Sequence, residues 1–190
     1  MWIDCRERLF RNIHSIETLN RMPSPFWIPT DTPGRLAIIA RPRGGDWLPD
    51  EVAAWKRMGI HTVASLLTPD EEFGLELSEE SGECIRAGLA YLAYAVEDRG
   101  LPSDEFVFAE ISSLLAAEIA KGRSVGIHCR QGIGRSGLLA IGILVSLGVS
   151  IPDAIRRVSA ARGRPVPETP EQLEWISRFN VPALAAVGSK

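Results

Sequence analysis

The thirteen residues Val125-Gly126-Ile127-His128-Cys129-Arg130-Gln131-Gly132-Ile133-Gly134-Arg135-Ser136-Gly137 constrain this chain more than any other stretch. They begin as a short apolar run suited to a buried strand and turn abruptly into glycines. Leu138 to Val145 follow, apolar on nearly every side, which reads as a helix inside the core. A strand, a glycine loop and a helix N-terminus together form an anion cradle. N–H groups without helical partners converge there, and the helix dipole adds positive potential. Glycine lets the backbone wind closely around a bound group. Cys129 stands at the entrance and Arg135 at the far end, with five residues between them. The thiol is thus placed under the anion, and the guanidinium can grip two of its oxygens. Such an arrangement suits chemistry on phosphorus. The Walker A loop competes as a phosphate motif, but its lysine is missing from the required place. A buried cysteine ahead of a glycine turn is the bland alternative, and it seldom comes with this arginine spacing.

His128-Cys129 through Arg135-Ser136 resembles the H-C-x5-R-S/T signature of the cysteine-dependent protein tyrosine phosphatases. The Gly132-Ile133-Gly134-Arg135-Ser136 ending is most similar to the dual-specificity branch. The resemblance spans roughly residues 25–180 and is most specific at 97–102 and 128–136. It implies a phosphomonoester hydrolase in which Cys129, as thiolate, attacks phosphorus in line to give a phosphocysteine. Helix N-terminus, converging N–H groups and Arg135 all favour that thiolate. Arg135 and the N–H groups of Arg130, Gln131, Gly132, Ile133 and Gly134 would hold the equatorial oxygens. Ser136 would hydrogen-bond the thiolate and help it leave in the second step. His128 would support the loop through hydrogen bonds rather than proton transfer. No metal and no cofactor are implied.

About thirty residues before the cysteine, where the resemblance puts a general-acid loop, stands Glu97-Asp98-Arg99-Gly100-Leu101-Pro102. Asp98 opens it and Pro102 closes it. Asp98 would protonate the leaving oxygen and then, as a carboxylate, activate water. Its rival Glu97 points away, because neighbours in an extended segment alternate faces; a plain turn or cap residue is the unreactive alternative for Asp98. Gln172 has two readings. Thr169-Pro170-Glu171-Gln172 fits a capping box, with the side chain returning to the Thr169 N–H. In some family members a glutamine in a similar place orients the water that hydrolyses phosphocysteine. The capping reading explains the spacing unaided.

The rest of the chain alternates strands and helices. Phe26-Trp27-Ile28 reads as an edge strand, Leu36 to Ala40 as a buried one, and His61 to Leu67 as a central one. Leu89 to Val96 follows as another strand. Helices are expected over Asp50–Met58, Ser78–Ala87, a long segment capped by Ser103, Ser150 to about Ala161, and from Thr169 onward. Val107, Ile111, Leu114, Leu115 and Ile119 mark the expected buried stripe of the long helix, and Leu173, Trp175, Ile176 and Phe179 are expected to face inward from the last one. Thr68-Pro69-Asp70-Glu71 is a second capping box. Arg41 and Arg43 lie in a loop that either reaches the phosphate mouth or, as the commoner case, is solvated; Arg162-Gly163-Arg164-Pro165 reads as a basic turn. The expected fold is α/β, with a central, largely parallel sheet of about four to five strands flanked by helices, like that of dual-specificity phosphatases. Residues 1–22 would be an extension or peripheral helix, in which His14 and Cys5 suggest no chemistry. Residues 23–182 would form the phosphatase domain, and 183–190 a tail.

Composition narrows the partners. A net charge of −3 over 190 residues argues against a nucleic-acid binder. Three cysteines without paired spacing read as reduced thiols of a cytoplasmic protein. Cys84 is either a resolving thiol for Cys129, as in some relatives, or an inert helix residue. Asp4, Arg6, Glu7 and Arg8 stand where a signal peptide would be apolar, and no run reaches membrane length. The expected partner is a phosphorylated protein or peptide, met by a monomer with no stable membrane insertion. A phosphoinositide or other small-molecule phosphatase, or a phosphate-binding module without turnover, stands as the alternative. Lipid phosphatases of the family carry lysines inside the loop, where this chain has Arg130, Gln131 and Ile133. A sulfurtransferase or arsenate reductase would not need Asp98.

Overall fold

Alternate residues of the short apolar runs enter two different cores, and that alternation builds the sheet. Leu36 and Ile38 pack on one face while Ala37 and Ile39 pack on the other, the period-2 signature of a strand buried on both sides. The computed structural model describes residues 23–179; the expectations for residues 1–22 and for the tail lie outside them. The elements run β1 (Phe26–Ile28), β2 (Arg35–Ile38), a 3-10 turn (Gly45–Trp47), α1 (Leu48–Arg57), β3 (Thr62–Ser65), α2 (Pro69–Gly74) and α3 (Glu80–Arg86). They continue with β4 (Ala90–Ala93), α4 (Glu105–Ala120), β5 (Ser124–His128), α5 (Gly134–Ser146), α6 (Ile151–Arg162) and α7 (Pro170–Ser177). The sheet order is β1-β2-β5-β3-β4. Only β1 is antiparallel to its neighbour; the other pairings are parallel.

The signature strand β5 lies in the middle, every residue buried, with Ala37 opposite Gly126 on one side and Val63 opposite it on the other. Helices α4 to α7 cover one face, and α1 and α3 cover the other. Because β2, β3, β4 and β5 run the same way, their C-terminal ends open on one edge. Ligands of open α/β sheets bind at that edge. Among the described residues no helix is long and apolar enough to cross a membrane.

Three local expectations differ from the structure. Helix α4 is capped by Asp104 rather than Ser103: its Oδ1 accepts from the N–H groups of Phe106 (2.8 Å) and Val107 (3.1 Å). The buried face of α4 is Phe108, Ala109, Ser112, Leu115, Ala116 and Ile119, whereas Val107 and Leu114 are exposed. Phe106 to Ile119 is apolar on nearly all sides, so periodicity cannot choose a face. Packing does: the Phe108 ring meets Trp175 and Phe179 edge-on, each at 5.0 Å, a favoured aromatic geometry. Leu173, expected inside, is exposed for the related reason that Trp175, Ile176 and Phe179 already fill that contact.

Candidate active site

Strand β5 delivers Cys129 to a loop that ends where α5 begins. Gly132 takes φ +66°, open to glycine at little cost, and its N–H donates to the Cys129 sulfur at 3.3 Å. The thiol is buried at the floor of a cavity of about 210 Å³ lined by Asp98, Arg99, Gln131, Gly134, Arg135 and Glu168. Gly132, Ile133 and Gly134 are buried, so the loop offers its backbone to a ligand. The Arg130 side chain is half in solvent and turns to Glu71, 4.0 Å away.

Arg135 is only 2% exposed and is gripped from several elements. Its Nη1 donates to the carbonyls of Val96 (2.9 Å) and Leu66 (3.3 Å), and to Glu71 Oε2. Its Nη2 donates to Glu71 Oε1 (3.0 Å) and Asp98 Oδ1 (2.8 Å). Burial opposes the guanidinium charge, but the Glu71 hydrogen bond, with the charges of Cys129, Glu71 and Asp98, outweighs it and holds the Arg135 pKa above its ordinary value. Burial likewise pushes the Glu71 carboxyl up, yet Arg135, the Thr68 N–H and Arg130 bring it below the ordinary carboxylate range. Glu71 was expected only as the N3 residue of a capping box. That box is present, with both reciprocal bonds to Thr68, and the same carboxylate reaches on to Arg135. A bifunctional carboxylate cannot be recognised from local spacing.

The surroundings of the loop were also hidden from the sequence. His128 and Glu80 form a fully buried pair at 2.7 Å between Nε2 and Oε1, and the His128 ring lies against Trp55, 5.8 Å between centroids. Arg162, read as part of a basic turn, donates from Nε to the Gly132 carbonyl at 2.6 Å while its guanidinium covers the Phe26 ring. Burial, then Arg164, lowers the Arg162 pKa. Apolar neighbours and a cation at the C-terminal end of a helix would have pointed to a brace, had the register of α6 against the loop been known.

Residues 39–149 match the sequence model of a family described as "Tc-R-P: Polymorphic toxin system, DSP-PTPase phosphatase". The chain belongs to this family. It is 34% identical over 84 residues to a tyrosine-protein phosphatase of Autographa californica nuclear polyhedrosis virus, covering 43% of this chain and 50% of the viral one. It is 30% identical over 130 residues to putative tyrosine-protein phosphatase 1 of Orgyia pseudotsugata multicapsid polyhedrosis virus, covering 63% and 59%. The chain thus spans about half the length of these relatives. Among solved structures, Tk-PTP in its active form superposes with a TM-score of 0.67 at 28% identity, over 83% of this chain and 96% of that one. Kinase associated phosphatase, with its catalytic-site cysteine replaced by serine, superposes with a TM-score of 0.74 at 21% identity, over 84% and 95%. The fold is therefore that of the dual-specificity branch.

Asp98 stands in the cavity with its side chain 57% exposed and bound to Arg135. Glu97 is exposed and is not among the cavity-lining residues; Arg99 at φ +59° and the Gly100 N–H to Glu97 carbonyl bond (2.8 Å) turn the loop there. The hydrogen bond expected from Ser136 to the thiol is not formed. Ser136 Oγ is buried without a partner among the described residues, and the contact on sulfur comes from Gly132 instead. Gln172 is fully buried. Its N–H donates to Thr169 Oγ1 at 3.2 Å, as a cap requires, but its side chain does not return to the Thr169 N–H. Oε1 accepts from the Glu168 N–H (3.2 Å) and Nε2 donates to the Gly100 carbonyl (2.9 Å). Both ends of the amide are thereby committed to backbone, tying the acid loop to the start of α7.

Arg43 is spent on the buried carboxylate of Glu51, to which it donates from backbone and side chain. Arg41 turns to the Pro42 carbonyl, and neither arginine lines the cavity. Cys84 is on the buried side of α3, on the face of the sheet away from Cys129. Burial, then Glu80 and Glu83, pushes its thiol up to about 12, which keeps it protonated and poorly nucleophilic.

Proposed function

We propose that this chain hydrolyses phosphomonoesters through a phosphocysteine on Cys129, acting on a phosphorylated tyrosine, serine or threonine side chain of a protein or peptide. One observation carries the reading: a buried thiol accepting a backbone N–H stands in one polar cavity with a buried arginine and an aspartate. A module that only bound phosphate would need neither the thiol nor the aspartate. The substrate phosphate would enter over the loop N–H groups and take Arg135 Nη2 from Asp98. Released from that bond and protonated from solvent, Asp98 gives that proton to the leaving oxygen as the Cys129 sulfur bonds to phosphorus. Arg135 and the N–H groups of residues 130–135 hold the equatorial oxygens while charge develops on them. Water then attacks phosphorus, the P–S bond breaks, and the electron pair returns to sulfur. Ser136, with its unpartnered hydroxyl buried behind the loop, can turn to the thiolate at that stage. His128, held by Glu80, supports the loop without exchanging protons. Similarity to two viral tyrosine-protein phosphatases favours a tyrosine phosphatase, and the free thiols Cys84 and Cys129 suit a reducing, cytoplasmic setting.

The test is release of phosphate from an aryl phosphate, from phosphopeptides carrying each of the three residues, and from phosphoinositides. Turnover of the phosphopeptides that vanishes in Cys129→Ser while phosphate binding persists is the expected result. A Cys129→Ser protein that keeps substantial activity refutes the phosphocysteine route. Faster turnover of phosphoinositides than of any phosphopeptide refutes the substrate class.

A further inference from the structure

Hydrolysis of a phosphocysteine needs a water whose lone pair faces phosphorus, so acceptors on the cavity wall must hold its protons. Gln172 cannot serve in its observed place: its oxygen accepts from the Glu168 N–H and its nitrogen donates to the Gly100 carbonyl. Two carboxylates line the cavity with Cys129, those of Asp98 and Glu168. Glu168 belongs to no motif, yet its placement is closely defined. Its Oε2 lies 3.1 Å from where a Cβ on Gly134 would stand, so it hangs over the last turn of the phosphate loop. That crowding by Glu168 and by the Gln172 amide, at 2.9 Å, is why residue 134 has no side chain. The Glu168 main chain is pinned by the same Gln172 amide that pins the acid loop. Among the described residues its carboxylate takes part in no ion pair, whereas Asp98 Oδ1 is engaged by Arg135.

We propose that Glu168 is a further catalytic residue, the acceptor that orients the hydrolytic water in the second step. The inference rests on the phosphocysteine reading above. After the leaving group departs with the Asp98 proton, a water takes its place. One O–H bonds to the Asp98 carboxylate and the other to Glu168, which directs the oxygen lone pair at phosphorus. The new P–O bond forms as the P–S bond breaks. The electron pair goes to the Cys129 sulfur, and the proton goes to Asp98, which is restored as the acid for the next turnover. A carboxylate inside an anion site repels the substrate, so its presence calls for a return in the reaction itself. Water orientation supplies one, and it leaves the first step untouched.

The experiment is rapid-mix kinetics of the full chain on an aryl phosphate, with Glu168→Ala and Glu168→Gln. Loss of one hydrogen bond to a charged acceptor corresponds to roughly a 10- to 100-fold slower step. Glu168→Ala should therefore show a stoichiometric burst of aryl alcohol followed by a kcat lowered by that factor, the same for good and poor leaving groups. Phosphoenzyme should be trappable on Cys129. Glu168→Gln keeps an acceptor oxygen and should recover most of the rate. A Glu168→Ala enzyme without a burst, or one whose kcat/KM simply rises because repulsion is gone, overturns the assignment. The side chain is exposed, so both variants should fold, and a melting curve verifies it. Absence of turnover in the unmutated chain would instead defeat the phosphocysteine reading, a separate outcome.

Discussion

Replacing Glu71 by Gln tests the most heavily bonded contact in the site. The carboxylate takes two hydrogen bonds from Arg135 and closes the Thr68 capping box, with its side chain 12% exposed against 2% for Arg135. Removing one partner of a buried ion pair costs about 3–5 kcal/mol when the other charge is stranded. Arg135 is not stranded here. Asp98 and the carbonyls of Leu66 and Val96 remain, and the amide oxygen still accepts one bond. The loss should then be about 2 kcal/mol, in the range for hydrogen bonds to charged groups. For a chain of this size that corresponds to a fall in Tm of roughly 4–8 °C. The pH dependence is the sharper signature. The Glu71 pKa is lowered on folding, so its stabilisation is complete above the unfolded value near 4.5 and disappears as pH falls through the folded value. Wild type and Glu71→Gln should therefore differ by the full amount at pH 7 and converge as the pH falls below the unfolded value near 4.5. Denaturant unfolding at pH 7 and along an acid series measures this. With Arg135 less firmly oriented, kcat/KM on an aryl phosphate should also drop about tenfold, one lost contact of modest strength. Equal stability of the two proteins at pH 7, or a difference that does not shrink in acid, refutes the argument that Glu71 is an ionised brace.

Asp98→Asn should slow turnover of phenyl or alkyl phosphates by roughly 10²–10⁴, the scale of general acid help, and much less for esters whose leaving group departs unprotonated; a flat leaving-group series shows that Asp98 is not the acid. Gln172→Leu should lose two buried side-chain hydrogen bonds, to Gly100 and Glu168, and be destabilised by about 1–3 kcal/mol in thermal unfolding. It should also loosen the acid loop, so that kcat falls without burst kinetics. A burst in Gln172→Leu with Tm unchanged would restore the water-positioning role to the glutamine.

Much of this protein was legible along the chain because the relevant physics is local. Alternation in Leu36 to Ile39 and in Val125 to Ile127 announces strands buried on both faces, and the apolar circumference of Leu138 to Val145 announces a core helix. Thr68, Ser150 and Thr169 cap the helices that their hydroxyls and following prolines predict. Five residues between Cys129 and Arg135 place a thiol and a guanidinium on one loop, since one turn of loop backbone spans that separation. Asp98 could be nominated because it opens a loop after a strand, about thirty residues before Cys129, where the family resemblance puts the acid; the sheet order then sets that loop on the same edge as the end of β5.

What tertiary structure alone decided are the partners that come from far along the chain. Glu71 closes a cap four residues wide, yet its charge serves Arg135, 64 positions away. Glu80 sits in a short helix and reaches His128, 48 positions away. Arg162 supports the Gly132 carbonyl from another helix, and Glu168 enters the cavity only because α7 docks beside the loop. Even the buried face of α4 was open until Phe108 met Trp175 and Phe179. Local periodicity carries information about a residue's own backbone and its neighbours three or four positions away. The packing of elements against one another determines which charges share a cavity, because a buried charge must find its counterpart wherever the fold brings one within reach.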